Sequence, residues 1–289
     1  MTIPITGHTG FTGLLGSPVS HSISPMMHNE SFRTLGLDYV YLCFDVNEER
    51  LDTTVAGFRA AGIMGFNVTM PCKNRMTELC DQLSPAASLI GAVNTVVNKE
   101  GQLTGHNTDG VGFWQSALEA GFSSPGKNVT LMGMGGAATA IAVQAALDGV
   151  KELNIFARPT SRFWSRAVRL TDELNTQTDC QVRLFEQQNN SELKKSLDHS
   201  HILINGTSVG MAPHTDATII PDTSLFRPGL TVADVIYNPR ETLLLKQAKE
   251  AGCNVFNGMY MLLYQGAEAF RLWTGQQMPV EHIKKCYFE

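Results

Sequence analysis

Val129-Thr130-Leu131-Met132-Gly133-Met134-Gly135-Gly136-Ala137-Ala138 is the stretch on which the fold turns. Its first four residues read as a buried strand, a glycine-rich turn follows, and the alanine-rich run Thr139–Leu147 beyond is an excellent helix by propensity. Strand, turn and helix in that order match the pattern G-x-G-x-x-G/A. The first glycine permits the tight turn, the second lets backbone N–H groups approach a pyrophosphate, and small residues beyond allow close helix–strand packing. Gly133, Gly135, Gly136 and Ala137 are therefore candidate dinucleotide contacts. Taken alone the pattern would also suit a packing turn or another nucleotide-like ligand, such as a methyl donor.

Downstream of that loop, Leu153–Ala157, Val182–Phe185, Ile202–Asn205, Thr231–Ile236 and Asn254–Phe256 read as short strands with helices between most of them, which predicts a parallel sheet. Upstream, Ser123-Ser124-Pro125-Gly126-Lys127-Asn128 breaks the pattern. Before the break, strands at Phe11–Gly16, Tyr39–Val46, Met64–Thr69, Val93–Asn98 and Gln102–Asn107 alternate with helices near Ser24–Leu35, Glu48–Ala61 and Pro71–Asp81. Asn98-Lys99-Glu100-Gly101 reads as a hairpin turn, so this half carries a mixed sheet. The last helices, about Gly258–Thr274 and Pro279–Cys286, are rich in Met, Leu and aromatics and are expected to return to the first half. The predicted class is α/β: an N-terminal mixed-sheet domain over 1–108, completed by 259–289, and a Rossmann-type domain over 109–258. A chain of 289 residues favours two domains, and two domains imply a cleft.

Composition narrows the function. With 43% hydrophobic and 17% charged residues the chain reads as an ordinary globular protein, and a formal net charge of -5 argues against a nucleic-acid partner. Its six cysteines show no C-x-x-C pair and no histidine at zinc-finger spacing, so neither a disulfide framework nor a metal is expected. The N-terminal residues carry neither a basic nor a continuous apolar leader pattern, and no apolar run approaches the ~18 residues of a membrane span. A reducing cytoplasm and no membrane partner are the expectation, with either a monomer or a homodimer.

The strand after the nucleotide loop runs into Phe156-Ala157-Arg158-Pro159-Thr160-Ser161-Arg162. An acidic residue there would grip a free ribose 2′-hydroxyl; two guanidiniums and two hydroxyls suit a 2′-phosphate instead. NADP is thus predicted over NAD through Arg158 and Arg162, against the plainer reading of solvated arginines at a helix start.

Two polar segments carry an acid–base pair. Asn67-Val68-Thr69-Met70-Pro71-Cys72-Lys73 supplies an ammonium and Asn107-Thr108-Asp109-Gly110 a carboxylate. Such a pair passes a proton to or from an oxygen while a dinucleotide passes a hydride to or from the carbon beneath it, which describes alcohol oxidation. The plain alternatives are a solvated lysine and an aspartate capping a helix. Gly16-Ser17-Pro18-Val19-Ser20-His21-Ser22-Ile23-Ser24-Pro25-Met26-Met27-His28-Asn29 closes a strand and opens a helix, with Ser24 as N-cap and Pro25 at N1, a place where hydroxyls and free N–H groups bind a carboxylate. His21 and His28 are expected to be structural or hydrogen-bonding residues, and Cys72 a buried thiol rather than a nucleophile.

At these residues the chain resembles the shikimate dehydrogenase family, including its quinate/shikimate branch. The resemblance runs through Gly16–Asn29, Gly65–Lys73, Gly91-Ala92-Val93-Asn94-Thr95, Gly105–Gly112, the loop at Gly133, Asp234–Pro239 and Asn257–Gly266, nearly the whole length. It implies a substrate domain completed by C-terminal helices, a Rossmann-type domain, and an active site between them acting on a small polyol carboxylate. By the same resemblance Ser22 and Ser24 would hold the carboxylate, Thr69, Asn94 and Gln265 the carboxylate or hydroxyls, and Lys73 with Asp109 the reacting hydroxyl. Tyr237 would line the cleft, Gly258 would lie near the nicotinamide, and Thr207 would join the cofactor contacts. Arg158 and Arg162 resemble the family's NADP-type Asn-Arg-Thr-x-x-Arg segment, from which Ala157 and Pro159 depart; Ala251–Pro279 is closer to the quinate/shikimate branch, where NAD use also occurs. The implied reaction is NAD(P)-dependent oxidation of shikimate to 3-dehydroshikimate. The alternatives are a quinate-preferring dehydrogenase and a non-catalytic sensor of the same ligands.

Overall fold

The computed structural model describes residues 5–289. By its internal contacts the chain forms two units, one running up to Thr108 and resuming at Leu263–Glu289, the other Asp109–Leu262.

The first unit opens with β1 (Gly10–Gly16), α1 (Ser24–Leu35), β2 (Tyr39–Asp45), α2 (Glu48–Ala60) and β3 (Gly65–Val68). It continues with α3 (Met76–Leu79), β4 (Gln82–Leu83), α4 (Pro85–Ile90), β5 (Thr95–Lys99) and β6 (Gln102–His106). The sheet order is β2-β1-β3-β5-β6-β4. β1 pairs parallel with β2 and β3, whereas β5 is antiparallel to both β3 and β6, so the sheet is mixed as expected. Lys99 pairs with Gln102 across a two-residue turn in which Glu100 and Gly101 have φ of 53° and 86°. Both central residues at positive φ define the hairpin turn that matches strand twist, and glycine tolerates it without strain. Leu15, Leu51, Val55, Phe58, Phe66, Met76, Val93, Val96 and Leu103 fill one core.

Two local expectations are corrected here. The helix expected over Pro71–Asp81 is reduced to Met76–Leu79, preceded by turns. The carbonyl of Lys73 explains why, since it accepts from the N–H of Val93 (2.9 Å), which replaces the helical bond it would receive from Thr77. The chain between β3 and β5 also holds the short β4 and α4, which periodicity missed. Ser24 is not the N-cap of α1: Ile23 occupies that position in an αR conformation with no side-chain cap. Ser22 takes the capping role, its Oγ accepting from the N–H of Ser24 at 3.2 Å.

The second unit contains α5 (Asp109–Glu119), β7 (Asn128–Met132), α6 (Gly136–Leu147), β8 (Glu152–Ala157), α7 (Trp164–Gln177) and β9 (Gln181–Glu186). It then adds α8 (Asn190–His199), β10 (Ile202–Asn205), β11 (Thr231–Asp234), α9 (Leu243–Glu250) and β12 (Asn254–Phe256). Its sheet has the order β12-β11-β10-β7-β8-β9 with every pair parallel. Strand order reverses beside β7, where a doubly wound sheet leaves a crevice at its carboxyl ends. The interior strands are buried on both faces and largely apolar, as in Ile202-Leu203-Ile204 and Leu153-Asn154-Ile155-Phe156.

Two helices close the chain, α10 (Met259–Thr274) and α11 (Val280–Tyr287). From Leu263 onward α10 belongs to the first unit. Its Trp273 donates from Nε1 to the carbonyl of Val96 at 2.9 Å, and a Cβ on Gly65 would come within 2.3 Å of the same indole. Gly65 is thus the notch into which α10 docks. No helix among the described residues is long and apolar enough to cross a membrane, and all six cysteines are free thiols.

Candidate substrate and dinucleotide sites

In the first unit, polar groups are buried where the carboxyl ends of β1 and β3 meet the start of β5. Asn67, the third residue of the fully buried β3, accepts the phenol proton of Tyr41 (2.8 Å) and donates from Nδ2 to the Asn94 carbonyl (3.1 Å) and the Thr95 hydroxyl (3.0 Å). Asn94 is held more firmly still. Its Oδ1 accepts from the Thr108 N–H (2.8 Å) and the Thr95 hydroxyl (3.0 Å), and its Nδ2 donates to the Thr108 hydroxyl (3.0 Å). Asn107 donates to the Ala92 carbonyl at 3.0 Å. A satisfied polar network in a low-dielectric interior fixes rotamers that a single hydrogen bond would leave free.

Each residue predicted from sequence can be placed. Ser24 is buried in the first turn of α1, hydrogen-bonded through its side chain to Tyr41; Ser22 is half-buried just before it. Thr69 is half-buried directly after β3, its N–H bonded to the Leu15 carbonyl (2.8 Å). Lys73 is half-buried, its carbonyl bound to Val93, the neighbour of Asn94. Asp109 follows Thr108 directly, so one peptide link separates it from the anchor of Asn94. Gln265 lies on α10 beside Gly266, whose hydrogen faces Met27 and His28 of α1: a Cβ there would be 2.6 Å from Met27 Cε. Ser24, Asn94 and their partners are therefore joined through Tyr41 and Asn67, two residues to which the sequence reading gave no role or only a supporting one. A tyrosine on a strand needing a partner for its hydroxyl was the available signal, but Tyr41 reads equally as an ordinary strand residue.

Of the two expectations for His28, the structural one holds: it is buried, with no hydrogen-bond partner for either ring nitrogen. It stacks on Tyr41 at 4.5 Å between ring centroids and lies 5.2 Å from Trp273, and burial pushes its pKa down to about 3. The ring is neutral and serves as an aromatic wedge.

In the second unit, Gly133 has φ of 94°, a value that favours glycine, and a Cβ there would strike Thr207 Cγ2 at 2.7 Å. Gly206 is equally constrained against Ala138 at 2.6 Å, and Gly258 would collide with the Val235 carbonyl at 2.0 Å. Gly135 and Gly136 differ, because a Cβ on either would meet nothing within 4 Å. Intramolecular packing explains Gly133, and it does not explain the pair that opens α6. Gly135 caps α6 without a side-chain bond, leaving the first-turn N–H groups and the positive end of the helix dipole to a ligand. Those features fit a pyrophosphate.

The loops around that turn are held by Asn205 and Asp234. Asn205 Oδ1 accepts from the N–H (3.0 Å) and hydroxyl (2.7 Å) of Thr207, and its Nδ2 donates to Asp234 Oδ1 at 3.1 Å. Asp234 also accepts from the Ile236 N–H (3.0 Å) and the Thr242 hydroxyl (2.8 Å). Burial raises its pKa to about 6 against the opposing effect of these donors. Tyr237 is 53% exposed in the loop that follows. Arg158 and Arg162 are both exposed; they precede α7 rather than begin it, and the Arg162 guanidinium lies 4.8 Å from the Phe163 ring centroid.

A parallel sheet with the doubly wound order and a glycine turn at its reversal defines a dinucleotide-binding α/β protein. Comparison with known proteins places it further. The family model for the shikimate dehydrogenase substrate binding domain matches residues 14–96, and that for the shikimate 5'-dehydrogenase C-terminal domain matches 258–285. Shikimate dehydrogenase (NADP(+)) of Listeria innocua is 49% identical over 288 residues, covering 100% of this chain and 99% of its own. The crystal structure of shikimate 5-dehydrogenase from Listeria monocytogenes, solved with shikimate and NAD, superposes with a TM-score of 0.95 at 49% identity, covering 99% of each chain. Quinate dehydrogenase from Corynebacterium glutamicum, solved with NAD, gives a TM-score of 0.84 at 30% identity, covering 97% of this chain and 99% of that one. The chain belongs to the shikimate dehydrogenase family.

Proposed function

We infer that this protein catalyses the reversible NAD(P)-dependent oxidation of shikimate to 3-dehydroshikimate. The observation that carries the reading is the buried network of Asn67, Asn94, Thr95 and Thr108, which fixes amide and hydroxyl groups; Thr108 directly precedes Asp109, and Val93, next to Asn94, holds the Lys73 carbonyl. A polyol carboxylate is recognised by such groups, because a pocket built to hydrogen-bond hydroxyls rejects molecules that lack them. Ser22 and Ser24 bind the carboxylate, and Thr69, Asn94, Tyr237 and Gln265 bind the carboxylate or ring hydroxyls.

Bound at the turn of Gly133, Gly135, Gly136 and Ala137, with Thr207 and Gly258 alongside, the nicotinamide cofactor supplies or accepts the hydride. Lys73 and Asp109 exchange the proton of the reacting hydroxyl. In this reading the ammonium and the carboxylate share the general acid–base work.

NADP is the preferred cofactor in this reading, through Arg158 and Arg162. Both guanidiniums are exposed after β8, whose final residue is Ala157 rather than an acid. The Listeria innocua relative is a shikimate dehydrogenase (NADP(+)), whereas the Listeria monocytogenes structure holds NAD. Arg162→Ala is expected to lower kcat/KM for NADP+ at least several-fold more than for NAD+; an unchanged ratio would remove the arginine from the explanation. Likeness to the Corynebacterium quinate dehydrogenase favours quinate as a second substrate. Rates of reduced-nicotinamide formation with shikimate and with quinate, each against both cofactors, decide substrate and cofactor together. Absence of turnover in all four, with shikimate still bound, would make the protein a sensor.

A further inference from the structure

The seam between α1 and α11 gathers three side chains that the reaction does not use. His282 and Cys286 stand one turn apart on α11 and project from the same face, and Glu30 meets them from α1. His282 Nε2 lies 2.5 Å from Glu30 Oε1 and 3.7 Å from Cys286 Sγ, and the three donor atoms all fall within 4.8 Å of one another.

Tetrahedral zinc, with bonds of about 2.0–2.3 Å, holds its ligands roughly 3.3–3.8 Å apart. The imidazole and thiol already have that separation. The carboxylate oxygen needs to withdraw by about 1 Å, a small torsional adjustment in a side chain 15% exposed. One imidazole, one thiolate and one carboxylate form a mixed N, S, O set that suits zinc, whereas calcium and magnesium take oxygen ligands. His282 is 42% exposed, so water can complete the coordination.

One neighbour competes for the carboxylate. Arg33 pairs with both oxygens of Glu30, at 2.8 Å between Nε and Oε2 and through Nη2 to Oε1. A metal taking Oε1 leaves the guanidinium the other oxygen.

We propose that Glu30, His282 and Cys286 form a three-ligand zinc site that clamps α11 onto α1. The sequence reading looked for C-x-x-C and zinc-finger spacings and so passed over a His-x-x-x-Cys turn whose third ligand is some 250 positions away. Binding to the folded state alone raises its stability, so zinc should raise the melting temperature.

The test uses full-length protein freed of metal by a chelator, titrated with zinc by calorimetry and with Co2+ by absorbance. One equivalent bound, a near-ultraviolet thiolate-to-cobalt band and an upward Tm shift are expected. Cys286→Ser should abolish the band and His282→Ala should weaken binding at least tenfold, each with an unchanged metal-free Tm or a correspondingly corrected one. Arg33→Gln should tighten binding several-fold by removing the competitor. No stoichiometric binding, or an undiminished band and affinity in Cys286→Ser, would overturn the proposal and assign any bound metal to another cysteine.

Discussion

At the scale of single residues, the side chains proposed for the chemistry are held by others that do none of it. Val93 ties the backbone of Lys73 itself, and Thr108, tied to Asn94, immediately precedes Asp109. Removing a general acid–base group costs about 10²–10⁴-fold in rate. Lys73→Ala should therefore lower kcat by that factor with the KM for cofactor little changed, as steady-state kinetics will show; near-normal turnover would reduce Lys73 to a positioning group. His28 gives a second prediction, in stability. Its native pKa of about 3 lies below the ordinary 6.5, so between those values the unfolded chain takes up a proton that the folded one refuses. Stability should fall as pH drops through that window, by up to about 5 kcal/mol. Urea denaturation of His28→Phe at pH 7 and pH 5 should show a smaller difference than the parent, because the replacement ring cannot titrate.

At the scale of elements, close approach decides what is tolerated. The indole of Trp273 closes α10 over the β3–β5 pair at Gly65, donating to Val96. Trp273→Ala should destabilise the protein by about 3–5 kcal/mol, read from the denaturation midpoint, since a large buried side chain leaves a cavity behind it. The turn between β7 and α6 is similarly strict. Gly133→Ala would force a side chain onto a φ of 94° and against Thr207. It should cost dinucleotide affinity at least tenfold while leaving shikimate binding intact, measured by titrating each ligand separately. The shortened α3 belongs to the same logic, because the N–H of Val93 takes the Lys73 carbonyl that an earlier helical turn would need.

For the whole molecule, one buried group in each unit links stability to pH with opposite sign. Asp234 in the second unit keeps its proton up to pH about 6, against 3.8 for an ordinary aspartate. Between those values the folded state holds a proton that the unfolded state has released, so stability from this group falls as pH rises, by about 3 kcal/mol over the window. His28 in the first unit loses stability as pH falls. Calorimetry at pH 5 and pH 7 on Asp234→Asn and His28→Phe should accordingly show pH dependences altered with opposite sign, and same-sign changes would break the assignment.

Much of this was legible beforehand. Strand, glycine turn and alanine-rich helix at Val129–Leu147 announce a doubly wound unit because local propensity and the special needs of glycine are properties of neighbouring residues. The mixed sheet and its hairpin were likewise visible in alternation and in Glu100-Gly101. Only the tertiary structure decided that Tyr41 would join Ser24 to Asn67, that Val93 would take the Lys73 carbonyl and delay the start of the expected helix, and that Glu30 would meet His282 and Cys286. Each of those depends on which distant groups compete for one donor or acceptor. Periodicity along a chain reports which face a residue presents, and a hydrogen-bond partner far away in sequence leaves no mark on it.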